Sequence, residues 1–282
     1  MMHQDERGPR NIAPASRDVP FESPWDTQFA YTIRYPIPPA PQLDQHSSSN
    51  TERNLRNSPG NSVRTSAAKI VARYTIGALQ IATQLVLLGA GFDMRAFRLR
   101  SAIHARTFEL DHPETSHSKQ AMLRSARREV PEHIRYIGMD FNSQSIAEVL
   151  LHAGFDNSRP ACLIWEGVTN YLTAEAVDRS LRQIREVAAH GSILLFTYID
   201  RAVLDNPEKF FGARKLIERL RSYGEPWTFG LDPGEIGSYL ATRRFELLKD
   251  VSASAVWQRA GRSRAEPHGY EFYRLASARV GD

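Results

Sequence analysis

The sequence predicts an α/β fold: a doubly wound sheet of seven strands, the last one reversed. Three observations predict it: short apolar runs that stop at glycines or acids, helical segments between those runs, and a closing pair of strands with no helix between them. Parallel neighbours need a long crossover, so two strands in direct succession imply an antiparallel pair at the sheet edge.

The elements follow in order. Residues 1–60 are rich in Pro, Ser, Asn, Asp and Gln; Pro36-Ile-Pro-Pro-Ala-Pro41 reads as extended, and Gln45 to Asn61 holds almost nothing to bury. This stretch reads as an N-terminal tail, flexible or forming a lid, ahead of one domain at residues 61–282. The large aromatics Phe21, Trp25, Phe29, Tyr31 and Tyr35 are expected to lie against the body or close a pocket. From Val63 to Ala82 the apolar residues recur at spacings of three and four, an amphipathic helix. Buried strands are expected at Gln84–Leu88, Arg106–Leu110, Ile134–Met139, Ala161–Trp165 and Ser192–Tyr198. Helices are expected between them at Thr115–Arg128, Ser143–Ala153 and Thr173–His190, the last with Thr173 as N-cap and Gly191 past its end. Helices Asn206–Tyr223 and Pro233–Thr242 follow, then strands Phe245–Val251 and Tyr270–Ala278 joined by an Arg-rich loop.

Composition narrows the class. A chain of 282 residues, 41% of them hydrophobic, can bury one large core. The net charge of +4 is spread rather than blocked, so the pI near 9.3 argues little for nucleic acid, and a small anionic ligand suits it equally. No apolar run reaches the ~18 residues of a membrane helix, and the first ten residues are too polar for a secretory signal. The single Cys162 excludes an intramolecular disulfide and a Cys-rich zinc site, and no metal is expected. A cytoplasmic protein without nucleic-acid or membrane partners is expected, and a tail of this length is compatible with exchange between copies in a homo-oligomer.

In a doubly wound sheet the ligand sits at the carboxyl ends of the strands, near the point where strand order reverses. After strand one comes Gly89-Ala-Gly-Phe-Asp93, whose Gly89 and Gly91 allow a tight turn and a close approach to the backbone. After strand two come Glu109 and Asp111, beginning 20 residues beyond Gly89, where a carboxylate meets ribose hydroxyls. Asp140-Phe141 after strand three suit an adenine amino group and base face, and Glu166-Gly167 follow strand four, with Asn170 and Tyr171 close behind. An acid after one strand is usually a turn or a helix cap; four strand ends in order make a nucleoside site the better reading. A dinucleotide would ask for G-x-G-x-x-G, but Met94 stands at the third glycine and Asp93 would face the phosphates. S-adenosylmethionine has no phosphate and carries a sulfonium and an ammonium, which acids around the turn suit.

The chain resembles the leucine carboxyl methyltransferase family, in particular its bacterial and fungal secondary-metabolism branch with tetracenomycin-type polyketide O-methyltransferases. The matching residues are Val86 to Leu99, Phe108-Glu-Leu-Asp-His-Pro113 with Lys119, Asp140-Phe141, Trp165 to Leu172, Gly224 to Pro233 and Gly269 to Tyr273. The resemblance implies a class I methyltransferase, Rossmann-like, using S-adenosylmethionine. It implies Gly89 and Gly91 under the methionine part, with Asp93 in the same turn, Glu109 and Asp111 at the ribose, Asp140 and Phe141 at the adenine, and Glu166 with Gly167 at the amino group. It also implies a basic residue before strand one at the cofactor carboxylate. Arg64, Lys69 and Arg73 compete for that place, and Arg73 is preferred. Met94 stands where the family usually shows Thr, so a hydroxyl is lost.

Methyl transfer to oxygen needs an aligned nucleophile. A carboxylate acceptor is ionised at neutral pH and needs alignment only, whereas a phenol, with a pKa of about 10, needs a base. His112 is the candidate base, and Tyr171, one turn past Glu166, a candidate for positioning substrate. Arg221, Tyr223 and Trp227 fall where this fold builds a substrate lid. The expected activity is O-methylation of a small carboxylic acid or phenol in secondary metabolism. The rival readings are a cofactor-binding regulatory or protein-carboxyl methyltransferase-like protein without small-molecule turnover, and use of the loop Arg259–Arg264 on nucleic acid.

Overall fold

The computed structural model describes residue 75 and residues 77–126, 129–255 and 271–282. The tail, Arg64, Lys69, Arg73, most of the helix expected at Val63–Ala82, the loop Arg259–Arg264 and Tyr270 lie outside the described residues.

Seven strands form one sheet in the order β3-β2-β1-β4-β5-β7-β6: β1 Gln84–Leu88, β2 Arg106–Asp111, β3 Ile134–Gly138, β4 Ala161–Trp165, β5 Ile193–Ile199, β6 Phe245–Ser252 and β7 Tyr273–Val280. Neighbours among the first five run parallel, while β7 is inserted antiparallel between β5 and β6, with Phe196 opposite Ala276. The reversed last strand is therefore present, one place in from the edge. Strand order reverses between β1 and β4, so a crevice is available at their carboxyl ends.

The helices are α1 Arg95–Arg98, α2 Arg100–Ile103, α3 Pro113–Ser125, α4 Ile146–His152, α5 Ala174–Val187, α6 Ala202–Asp205, α7 Ala213–Ser222 and α8 Ile236–Ala241. Side chains alternate across each strand, which gives the sheet two apolar faces. Val86, Leu88, Leu163 and Trp165 pack with Ile146, Leu150, Leu181, Ile184 and Leu240 on one side. Leu85, Leu87, Cys162 and Ile164 pack with Ala78, Leu79, Ala102 and Ala105 on the other. Cys162 is thus a core residue, and burial pushes its thiol up to about 12.

Several expected boundaries move, each for a local reason. The helix α3 starts at Pro113, two residues early, because a proline at the first helical position gives up an N–H that would be unpaired anyway. In α5 the Thr173 hydroxyl does accept the Ala176 N–H, at 3.2 Å. The single helix expected at Asn206–Tyr223 is broken into a short 3-10 turn at Pro207–Lys209 and α7, with Gly212 between them at φ +73°. The strand β2 runs one residue further than expected, through Asp111, so Asp111 as well as Glu109 lies within it.

Candidate functional site

The turn after β1 is built by left-handed glycines. Gly89 and Gly91 have φ +68° and +50°, and a Cβ on Gly89 would stand 2.4 Å from Val168 Cγ2. The space at Gly89 is taken by Val168 of the β4 turn, so packing of two loops sets its need for glycine. A residue's left-handed backbone supplies the rest of that need.

Three side chains hold this turn. Asp111 is buried; its Oδ2 accepts the Gly91 N–H at 2.5 Å and its Oδ1 the His112 N–H at 2.7 Å. Lys119, 2% exposed, donates to the Asp93 carbonyl at 2.5 Å and to Glu109 Oε2 at 2.5 Å. Arg95, the first residue of α1, donates through Nε to Asp93 Oδ2 and through Nη2 to Glu166 Oε2, both at 2.6 Å. Its backbone N–H reaches Asp93 Oδ1 at 2.7 Å. Arg95 thereby ties the end of the β1 turn to the residue that follows β4, across the point where strand order reverses.

Electrostatics follow from these contacts. Burial opposes ionisation of Asp93, but the guanidinium of Arg95 and then Lys119 overcome it and hold the carboxyl below its usual value. Burial likewise works against the charge on Arg95, and Asp93 and Glu166 raise its pKa above the usual arginine value. Glu109 is the opposite case: burial pushes its carboxyl up to about 7 against the pull of Lys119. Arg95 Nη1 and Glu109 Oε1 are buried polar atoms with no hydrogen-bond partner among the described residues.

The remaining strand-end residues divide. Asp140 closes its own turn: Oδ1 accepts from the Asn142 backbone and side chain at 2.9 and 3.0 Å, and Oδ2 from the Ser143 hydroxyl. The Asn142 N–H chiefly, and then Ser143, keep its carboxyl below the usual range, with His112 adding to the effect. Phe141 sits in the core, 5% exposed. Gly167, at φ +70°, donates its N–H to the Thr197 hydroxyl. Asp93, Glu166 and the two glycines are thus brought together with Asp111 around one turn. Glu109 is set beneath it on Lys119, and His112 is exposed at the end of β2, on the far side of β1 from Glu166.

Tyr171 lies in a 3-10 turn, Thr169–Tyr171, and packs against an aromatic cluster containing Trp227 and Phe272. The segment before Phe229 is pinned to that turn: the Thr228 N–H donates to the Asn170 carbonyl and its hydroxyl to the Leu172 carbonyl, both at 2.8 Å. Beside it is a cavity of about 270 Å³, lined by Leu204, Pro207, Arg214, Ile217, Arg221 and Trp227. Of the expected lid residues, Trp227 is buried and Arg221 and Tyr223 are exposed.

Sequence reasoning missed Arg95 and assigned Lys119 no role. Each looks in the sequence like a solvated base. A signal was present for Arg95, because an acid two residues before it and a glycine turn before that leave its side chain close to the crevice. Among the described residues no group of three or more His, Cys, Asp or Glu side chains could hold a metal ion, and no helix is long and apolar enough to cross a membrane.

Comparison with known proteins bears on this geometry. A curated relative from Mycobacterium ulcerans (strain Agy99), provisionally named an S-adenosyl-L-methionine-dependent methyltransferase, is 33% identical over 154 residues, covering 55% of this chain and 48% of that protein. Another so named, YktD of Bacillus subtilis (strain 168), is 29% identical over 148 residues, covering 51% and 48%. The chain spans about half the length of these curated relatives. Among solved structures, a provisionally named methyltransferase from Thermobifida fusca YX has a TM-score of 0.58 at 21% identity, covering 82% of this chain and 86% of that one. An O-methyltransferase family protein from Burkholderia thailandensis has a TM-score of 0.51 at 12% identity, covering 83% and 61%. These likenesses are of fold, that of a methyltransferase. The model of the family described as leucine carboxyl methyltransferase matches residues 21–185, more than half of the sequence and including part of the stretch read as a tail. The chain belongs to the leucine carboxyl methyltransferase family.

Proposed function

We propose that this protein is an S-adenosylmethionine-dependent O-methyltransferase whose acceptor is a small molecule, a carboxylic acid in preference to a phenol. The observation that carries the reading is the acid-lined glycine turn at the β1–β4 reversal, where Asp93, Asp111 and Glu166 converge. The residues fit the cofactor in kind. Carboxylates suit its sulfonium and ammonium, and the buried Arg95 Nη1, without a hydrogen-bond partner among the described residues, is a cationic donor of the kind an anionic group suits. The names of the relatives, which carry S-adenosyl-L-methionine, support the same choice.

In this reading Gly89 and Gly91 support the methionyl part, Asp111 serves the ribose with the oxygen lone pairs its backbone contacts leave over, and Glu166 with Gly167 meets the amino group. Glu109 acts one layer below, through Lys119. Asp140 and Phe141 define the adenine end, and Arg73 remains the proposed base of the preceding helix. Bound there, S-adenosylmethionine supplies an electrophilic methyl carbon.

The chain's own task is to hold an acceptor oxygen within ~3 Å of that carbon and exclude water. Tyr171 and the Trp227 cluster, pinned to the β4 turn, suit a flat acceptor, and the adjoining cavity is close to the smallest volumes typical of small-molecule sites. A carboxylate needs no base. That favours it here, because the candidate base His112 ends on the far side of β1 from Glu166.

The test is incubation of the purified protein with methyl-labelled S-adenosylmethionine and extract of the producing cells, followed by mass spectrometry of what gains label. A small molecule heavier by one methylene, whose new group is removed by mild saponification, is expected. Label appearing only on protein, or on nothing, would overturn the reading.

A further inference from the structure

We infer that Glu109, from beneath the glycine turn, makes the site prefer the cationic S-adenosylmethionine to its neutral product, S-adenosylhomocysteine, and does so only while it is ionised. The inference rests on the proposed S-adenosylmethionine site and adds what sets the preference between cofactor and product there.

The buried pair under the turn is held together by a single donor. Lys119 Nζ divides its protons between the Asp93 carbonyl and Glu109 Oε2, at 2.5 Å each. Glu109 is 2% exposed, and its Oε1 is buried with no hydrogen-bond partner among the described residues. Tyr136 stands opposite Glu109 on β3, with Lys119 Nζ 5.8 Å from its ring centroid, yet its hydroxyl is buried without such a partner as well. Among the described residues Lys119 is therefore the whole hydrogen-bonded answer to the Glu109 charge, and it is shared with the turn above. A carboxylate so placed can take or lose a proton without breaking any other hydrogen bond.

Burial pushes the Glu109 carboxyl up to about 7 against the pull of Lys119, so its charge changes near neutral pH. The groups that face it among the described residues are Lys119 on α3, Tyr136 on β3, Asp111 on its own strand and Asp93 in the turn. Burial and then Glu109 raise the Tyr136 hydroxyl above its usual value, and Arg95 and Lys119 overcome burial to hold the Asp93 carboxyl below its own. Ionised Glu109 cancels the charge of Lys119; protonated Glu109 leaves that cation unopposed under the turn. Methyl transfer removes one methyl group and one positive charge from the ligand's sulfur, so cofactor and product differ chiefly in how they feel this potential. Lys119 is the only side chain between Glu109 and the Asp93 carbonyl, and in a dry interior a charge at such range is weakly screened. By reciprocity, binding of S-adenosylmethionine drives a proton from Glu109 to the buffer.

The test is calorimetry with S-adenosylmethionine and S-adenosylhomocysteine from about pH 6 to about pH 8, in two buffers of different ionisation heat. In the wild type the affinity for S-adenosylmethionine relative to S-adenosylhomocysteine should rise about threefold to tenfold across that range. Near neutral pH the cofactor should also release more protons than the product does. Glu109→Gln keeps the side chain's shape and the uncancelled Lys119 charge, so its ratio should stay at the low-pH value with no extra proton release. A ratio independent of pH in the wild type, or one that changes equally in the variant, would overturn the selection. So would a variant that lowers both affinities together and leaves their ratio alone, the mark of a residue that only props the turn. Where thermal melting shows that Glu109→Gln does not fold, Glu109→Gln with Lys119→Met removes both buried charges and replaces it, and a pH-independent ratio is again required. Failure of the wild type to bind either ligand would instead overturn the functional reading beneath it.

Discussion

The Asp111 carboxylate at the end of β2 accepts the backbone N–H of Gly91 at 2.5 Å, so the turn after β1 is held by the neighbouring strand. One acid thus sets the turn's shape and faces the crevice. Asp111→Asn keeps one acceptor oxygen and loses the charge. A stability loss of about 1–2 kcal/mol is expected in urea unfolding, with S-adenosylhomocysteine affinity down about tenfold or more. Unchanged affinity would remove Asp111 from the site.

Gly89→Ala should cost more stability than Asp111→Asn. The new Cβ combines a left-handed backbone with a 2.4 Å approach to Val168 Cγ2, and the Val168 side chain is itself buried. The expected loss is about 2–5 kcal/mol. The double variant Gly89→Ala with Val168→Ala should recover the packing part and leave the backbone part, which paired unfolding curves would separate.

The Lys119 and Glu109 pair predicts a pH dependence. Burial raises the Glu109 carboxyl from 4.5 to about 7, so between those values the folded protein holds more protons on this group than the unfolded chain. Its contribution to stability is therefore greatest at low pH and falls as pH rises from about 4.5 to 7, by no more than about 3 kcal/mol. Other carboxylates titrate too, so the readout is a difference. Wild type minus Glu109→Gln unfolding free energy should decline across that window and be flat above it. Lys119→Met should lower cofactor affinity as well as stability, since it releases the Asp93 carbonyl.

The two candidate catalytic residues should separate. Tyr171→Phe keeps the packing on the Trp227 cluster and should alter acceptor KM with little change in S-adenosylhomocysteine affinity. His112→Asn should leave turnover within about twofold for a carboxylate acceptor, which needs no base, and slow it by about a hundredfold or more for a phenol that relies on His112. The ratio of the two variants' kcat/KM values for a purified acceptor decides between them.

The strands were legible because their side chains are buried on both faces, which writes each one as an unbroken apolar run. Ala161–Trp165 coincides with β4 residue for residue. Where polarity and burial part company the reading slips. Glu109 is a charged residue inside a strand, neutralised by Lys119 from α3, and a single sequence cannot reveal a partner ten residues away on another element. The break at Pro207 and Gly212 was visible as turn chemistry, but the apolar periodicity around it outweighed that signal. The strand-end acids were legible as a set; the cation between them was not. Arg95 becomes central only once the fold brings the turn after β1 against the residue after β4.

The most direct test of the central claim is a calorimetric titration of the purified chain with S-adenosylhomocysteine, beside an identical titration with NAD. Saturable binding of S-adenosylhomocysteine at one site per chain, with no heat from NAD, is the predicted result. Absence of S-adenosylhomocysteine binding by folded protein, or preferential binding of NAD, would contradict it.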